Sequence, residues 1–248
     1  MTSDLQAFYG DLYTVEDPER AKFLGGWRRQ GAASKAAHVA VLTRGLAVRR
    51  IVEIGCGDGA LLAALSERGI GDALDGFELS AEAAELAREK AIPRVGRIEA
   101  YDGLHVPAED DAYDLAILSH VVEHIPEPAP VLKEAARLAS HVIVEVPLED
   151  NRSARRPAVR QEAARIGHVH AFSRADVRAL MQQAGMEVVA EVTDPLSLAH
   201  HSYFAQDVPA RAKAAAKTFV RRAAFRAAPE RSERLFTVHY ACLAARAG

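Results

Sequence analysis

The 248-residue chain is predicted to be an α/β protein, a three-layer sandwich of helices around a mostly parallel sheet. Three observations carry that prediction. Short β-branched runs alternate with helical patterns along most of the chain. Tyr113 to Ser119 (YDLAILS) is apolar almost without interruption, as expected of a strand covered on both faces. Arg50 to Leu65 (RIVEIGCGDGALLAAL) reads as strand, glycine turn and helix in that order.

With 49% hydrophobic and 26% charged residues, the chain has the material for one sizeable core, so one domain with an inserted subdomain is expected. A net charge of −3 gives no general attraction to nucleic acid, and no nucleic-acid partner is expected. The start, MTSDLQAFYGDLY, lacks a basic segment followed by an apolar run, and no stretch is apolar for long enough to cross a bilayer. A signal peptide and a membrane span are therefore not expected, and the cytoplasm is the expected location. Cys56 and Cys242 supply no disulfide or metal framework, and Cys56 reads as a small residue suited to a crowded turn.

Residues 1–49 are expected to form a helical cap, with Ser34 to Leu46 placing Ala37, Val41 and Leu42 on one face. Ile51 to Ile54 is the first strand, and Leu74 to Glu78 the second, followed by a helix from Ser80 to about Lys90. Gly96 to Tyr101 is the third strand and Tyr113 to Ser119 the fourth, with a helix from Val131 to Ala139 after it. His141 to Val146 is a fifth strand closed by Pro147. Ser173 to Asp176 has the form of a capping box, opening a helix that Gly185 ends. Met186 to Thr193 and Phe236 to Ala244 supply the last two strands. The core is thus 50–198 with 235–248, and 199–234 is a basic helical insertion between the last two strands. In that insertion Phe219, Ala223 and Arg226 share one helical face. It is expected to cover the substrate pocket, with peripheral membrane or anionic-ligand contact through 209–234 as the alternative.

Ligands of such a sandwich bind beyond the carboxyl ends of its strands. Gly55-Cys56-Gly57-Asp58-Gly59 sits there, where glycines let a ligand approach the backbone and the following helix offers unpaired N–H groups. The loop alone does not choose its cofactor, because Gly55, Gly57 and Ala60 also satisfy the dinucleotide fingerprint of an NAD-dependent oxidoreductase. Glu78, at the end of the second strand, is placed to accept hydrogen bonds from ribose hydroxyls.

Glu53 to Gly59 (EIGCGDG), Glu78, Asp102 and Tyr113 to Pro128 (YDLAILSHVVEHIPEP), taken together in that order, resemble the class I S-adenosylmethionine-dependent methyltransferases. The E-H-I-P run and Gly167 to Val188 (GHVHAFSRADVRALMQQAGMEV) are similar to the small-molecule branch, including ubiquinone-pathway O-methyltransferases. The resemblance implies a Rossmann-like, mostly parallel seven-stranded sheet with an antiparallel last strand. It also implies S-adenosyl-L-methionine as cofactor, S-adenosyl-L-homocysteine as product and a small-molecule acceptor. Glu53 would lie near the methionine amino group, and Gly55, Cys56, Gly57 and Gly59 would admit the cofactor to the backbone. Glu78 would hold the ribose, Leu79 would lie along the adenine, Asp102 and Gly103 would meet its amine, and Ser119 and His120 would border the methionine. An Asx turn before Gly103 is the other use of Asp102. The chain departs from the family in the insertion between its last strands, normally a short hairpin.

A hydroxyl acceptor needs its proton removed, and histidine suits that at neutral pH. His120, His124, His168, His170, His200 and His201 all follow strands, and His124, His168 and His170 are the candidate catalytic residues. O-methylation is therefore expected, with N- or C-methylation as alternatives. Some relatives bind a divalent metal with an E-x-x-E-H run. Here that run is His120-x-x-Glu123-His124, so a site of Glu123, His124 and His168 is the less favoured option.

Overall fold

A buried strand needs a neighbour on each side, and β1 (Arg50–Ile54) has β2 (Ala73–Glu78) on one and β4 (Tyr113–Ser119) on the other, both parallel to it. With β3 (Val95–Ala100), β5 (Ala139–Leu148), β6 (Met186–Asp194) and β7 (Val238–Arg246), the sheet runs β3-β2-β1-β4-β5-β7-β6. Only β7 is antiparallel, paired with β5 and β6. This is a computed structural model, and it describes Gln6, Gly10 and residues 13–246. The expected cap of residues 1–49 and the last core segment therefore extend partly outside the described residues.

Along β1, Ile51 packs into one apolar layer while Val52 and Ile54 pack into the other, the period of two that a pleated strand imposes. Helices α1 (Pro18–Leu42), α2 (Ala60–Glu67) and α3 (Ala81–Glu89) cover the Ile51 side. On the other side lie α4 (Ala129–Leu138) and α6 (Arg174–Gln183). Helix α5 (Pro157–Arg165) follows β5, and α7 (Leu198–Ser202), α8 (Val208–Ala227) and α9 (Pro229–Leu235) fill the segment between β6 and β7.

Four details differ from the sequence expectation. Helix α1 is longer, opened by Asp17 capping the N–H groups of Glu19 and Arg20 ahead of Pro18. Its buried face is Ala32, Ala36, Val39 and Leu42, whereas Val41 is exposed. Pro147 does not end β5: it pairs with His239 of β7. The carbonyl of Glu145 accepts from His120 N–H at 2.8 Å on the β4 side, and Pro147, two residues on, faces the same side after β4 has stopped, so no ladder donor is lost. Fourth, α8 turns Phe219, Ala223 and Arg226 outward and packs through Ala214 and Thr218.

The capping box at Ser173 is present, with Ser173 and Asp176 exchanging side-chain-to-backbone bonds. Gly59 caps α2 at φ 72°, and a Cβ there would meet Ala87 at 3.1 Å and Ile92 at 3.0 Å. Its missing side chain thus serves packing against α3, the task of the third glycine in such turns, rather than cofactor access. Gly59→Ala should destabilise the fold by about 1–2 kcal/mol through the left-handed backbone alone. Urea titration checks this, and an unchanged midpoint would remove the packing role.

Candidate functional site

At the carboxyl edge of the sheet the backbone reverses out of β1 through Gly55 and Gly57, at φ 77° and 53°. Both positions favour glycine. Gly55 N–H donates to Phe77 carbonyl at 2.7 Å, and Gly57 N–H donates to Glu78 Oε2 at 2.7 Å. Glu78 Oε1 also accepts from Ser80 N–H at 3.0 Å, so one carboxylate ties the turn to the start of α3. Burial raises the Glu78 pKa against these bonds. Cys56 is buried with its thiol against the position of a Gly76 side chain, a packing role, and burial raises its pKa well above the ordinary thiol value. For Asp58, burial is outweighed by Arg28 at 2.8 Å and Lys90 at 3.0 Å, which hold the carboxyl below its usual range.

Two adjoining cavities open from this turn. The first, of about 520 Å³, is lined by Glu78, Leu79, Asp102, Gly103 and His120, with Tyr13 and Tyr101. Asp102 is exposed, and its Oδ1 accepts from Leu104 and His105 N–H at 2.8 and 2.7 Å, an Asx-type turn that presents Gly103 to the cavity. The second, of about 490 Å³, contains Glu53, Ser119, His124, His168 and Glu149, with Trp27, Lys35, His200 and His239 from the cap, insertion and β7. Tyr13, Gly55, His120 and His124 line both. A side chain at Gly57 would collide with the Tyr13 hydroxyl, so Tyr13 closes over the turn.

His120 follows β4 in the left-handed region at φ 58°, an unusual conformation for a side chain of its size. Its Nδ1 is 3.0 Å from Glu123, its Nε2 is 4.0 Å from Glu145, and burial drives its pKa well down. His124 and His168 face each other with ring centroids 4.8 Å apart. Burial lowers the pKa of His124. At His168 burial acts the same way but is outweighed by the bond from Nδ1 to Glu149 Oε2 at 2.8 Å, and the pKa is raised. His170 lies apart: its Nε2 meets the carbonyls of Ile125 and Pro126 at 3.0 and 3.1 Å, its ring stacks on Phe172, and it lines neither cavity. His201 is turned away as well, toward Thr218 and Arg221.

A second charged set was not singled out from the sequence. Glu145, buried in β5, accepts from His38 at 3.1 Å and from Ser119 at 3.4 Å. Burial would raise its pKa, but His38 and the neighbouring positive groups lower it to about 2. His239 stands 3.8 Å from the same carboxylate. An acid inside the apolar run HVIVEV was the available signal. Glu123, His124 and His168 offer ligand atoms within 4.8 Å of one another, as do His120, Glu145 and His239.

Sheet order and glycine turn are those of the class I S-adenosylmethionine-dependent methyltransferase fold; a dinucleotide-binding sheet of the common doubly wound order lacks the antiparallel β7 between β5 and β6. A family profile described as "Methyltransferase domain" matches residues 24–191, and the chain belongs to that family. The ubiquinone biosynthesis O-methyltransferase of Alkalilimnicola ehrlichii is 30% identical over 148 residues, covering 52% of this chain and 59% of that relative. That of Thiobacillus denitrificans is 33% identical over 99 residues, covering 38% and 40%. The aligned parts thus span only 59% and 40% of the length of these relatives. The geranyl diphosphate C-methyltransferase of Streptomyces coelicolor A3(2), solved with Mg2+, geranyl diphosphate and S-adenosyl-L-homocysteine, shares the fold with a TM-score of 0.66 at 17% identity over 99% of this chain and 98% of that one.

Glu53 is buried with Oε2 unpartnered, and burial pushes its pKa up to about 8. Because the folded pKa exceeds the unfolded one, the stability it contributes is full below the unfolded value of about 4.3 and is lost as pH rises through about 8. Glu53→Gln should therefore flatten the fall in stability across that window and be the more stable form above pH 8. Thermal unfolding at pH 6 and pH 9 reads this, and an identical pH slope in both proteins would contradict it.

Proposed function

We infer that the chain transfers a methyl group to a hydroxyl of a small molecule, with His168 as general base. The Glu149–His168 pair at the edge of the second cavity carries this assignment. S-adenosyl-L-methionine, when bound, supplies a sulfonium methyl carbon open to in-line displacement. The residues present fit it: both cavities open from the glycine turn, and the unpartnered Glu53 oxygen in the second suits an ammonium group.

In this assignment Glu53 takes the amino group, Gly55 and Gly57 admit the methionine to the backbone, and Ser119 and His120 border it. Glu78 holds the ribose hydroxyls, Leu79 lies against the adenine, and Asp102 with Gly103 meets the adenine edge. Tyr13 and Trp27 help exclude water from the junction of the cavities. His168, oriented through Nδ1 by Glu149, has Nε2 left to take the acceptor proton. Freed of that proton, the acceptor oxygen would be the group to which bound S-adenosyl-L-methionine supplies its methyl. His124 packs against His168 and, being held neutral by burial, adds no competing positive charge. The O-methyltransferase names among the relatives support an oxygen nucleophile. His170, expected from the sequence as a third candidate, is left out because it lines neither cavity.

Since a neutral His168 is the active form and Glu149 raises its pKa, kcat/KM should rise with pH through an inflection above the ordinary histidine value. Glu149→Gln should move that inflection down, and His168→Ala should cut turnover by about 10²–10⁴-fold with S-adenosylhomocysteine affinity unchanged. Chelators should leave the rate as it is. Metal-rescued loss of activity would instead assign Glu123, His124 and His168 to a divalent ion. For the cofactor site, Glu78→Ala should weaken S-adenosylhomocysteine binding at least about tenfold, since each charge-assisted bond is worth roughly 1.5–3 kcal/mol. Calorimetry measures this, and wild-type affinity would remove Glu78 from the site.

A further inference from the structure

Helix α8 carries Arg211, Lys213, Lys217, Arg221, Arg222 and Arg226 and no acidic residue, in a chain whose overall charge is −3. The helix is anchored by one side only. Ala214 and Thr218 are buried, Thr218 bonds to His201 at 2.9 Å, and Arg221 lies over the Phe236 ring at 4.5 Å. The opposite side carries Val208, Ala212, Ala216, Phe219 and Ala223, recurring every three or four residues as one stripe, all exposed. Val208 is 78%, Phe219 76% and Val220 63% exposed, high values for large apolar side chains.

Projection at 3.6 residues per turn sets Arg211, Arg222 and Arg226 along one border of the stripe and Lys213 along the other. Among the described residues Lys213, Arg222 and Arg226 have no ion-pair partner, so their charge is not cancelled within the fold. An apolar stripe edged on both sides by long basic side chains matches a bilayer interface, where the stripe enters the acyl boundary and the bases reach headgroup phosphates. Nucleic acid would meet the bases but leaves Phe219 and Val220 in water. No helix among the described residues is long and apolar enough to cross a membrane, so the contact would be peripheral.

We propose that the outer face of α8 is a docking surface for an anionic lipid bilayer, with Phe219 and Val220 inserted and Arg222, Arg226 and Lys213 on the headgroups. This goes beyond the methyl-transfer chemistry and does not depend on which acceptor is used.

Flotation of the full chain with vesicles of phosphatidylcholine, with and without phosphatidylglycerol, tests it. Binding should require phosphatidylglycerol and fall as salt is raised. Phe219→Ser should weaken it at least about tenfold, and Arg222→Glu with Arg226→Glu should remove it, since each basic residue at such a surface contributes about fivefold. All these positions are exposed, so circular dichroism and S-adenosylhomocysteine affinity should stay as in the wild type. Absence of binding to either vesicle overturns the proposal. So does equal binding to both, binding insensitive to these substitutions, or binding to single-stranded RNA without binding to vesicles.

Discussion

The Glu78 carboxylate is the contact on which the site depends, because it joins two turns that the sheet only brings near each other. One oxygen holds the Gly57 N–H and the other the Ser80 N–H, so the exit of β1 and the exit of β2 share one buried acceptor. The glycine turn is free to adopt its left-handed conformations and is held in one of them by this bond. A carboxylate already satisfied on its backbone side presents its remaining lone pairs to the first cavity. The same group thus sets the shape of the turn and faces the first cavity.

Buried acids around the second cavity divide according to their partners. Glu145 and Glu53 are both nearly inaccessible, yet the first is held down to about 2 and the second pushed up to about 8. The difference is His38, which donates to Glu145, while Glu53 keeps an unpartnered oxygen. An ionised acid with a histidine partner is a fixed part of the scaffold. A buried neutral acid without one is a place where a cation can be received. The histidines split in the same way, His38 and His168 raised by a carboxylate and His120 and His239 lowered by burial.

Strand positions were legible because buried parallel strands are written as continuous apolar runs, and the glycine turn because no other residues fit its backbone. Of the expected face of α1, Leu42 is buried but Val41 is exposed: Val41 looks like core by hydropathy, but its direction on the helix is set by packing against α2 that the pattern does not contain. His168 could be picked out as following a strand, whereas its partner Glu149 could not, since nothing in the spacing says that 19 residues on the chain close to 2.8 Å in space. Tyr13, Lys35 and His239 reach the cavities, and His38 reaches Glu145, from the cap and from β7, at sequence distances where no periodicity carries information. His170 fitted the sequence pattern as well as His168 did, and only the turn of the chain between them separates their environments.

The position of β7 governs how this chain assembles. It is the last strand in sequence but lies between β5 and β6, so β6 has no sheet neighbour until Val238–Arg246 arrives. Closing 195–237 instead of a four-residue hairpin costs ~2 kcal/mol more in loop entropy, so this pairing gains no help from proximity. During synthesis the edge of β5, with its run of Val142, Ile143 and Val144, is left without its β7 partner after most of the sheet has been made. An unpaired, β-branched edge is the feature that recruits other chains. Until β7 pairs with it, that edge is the part of the sheet most open to other chains.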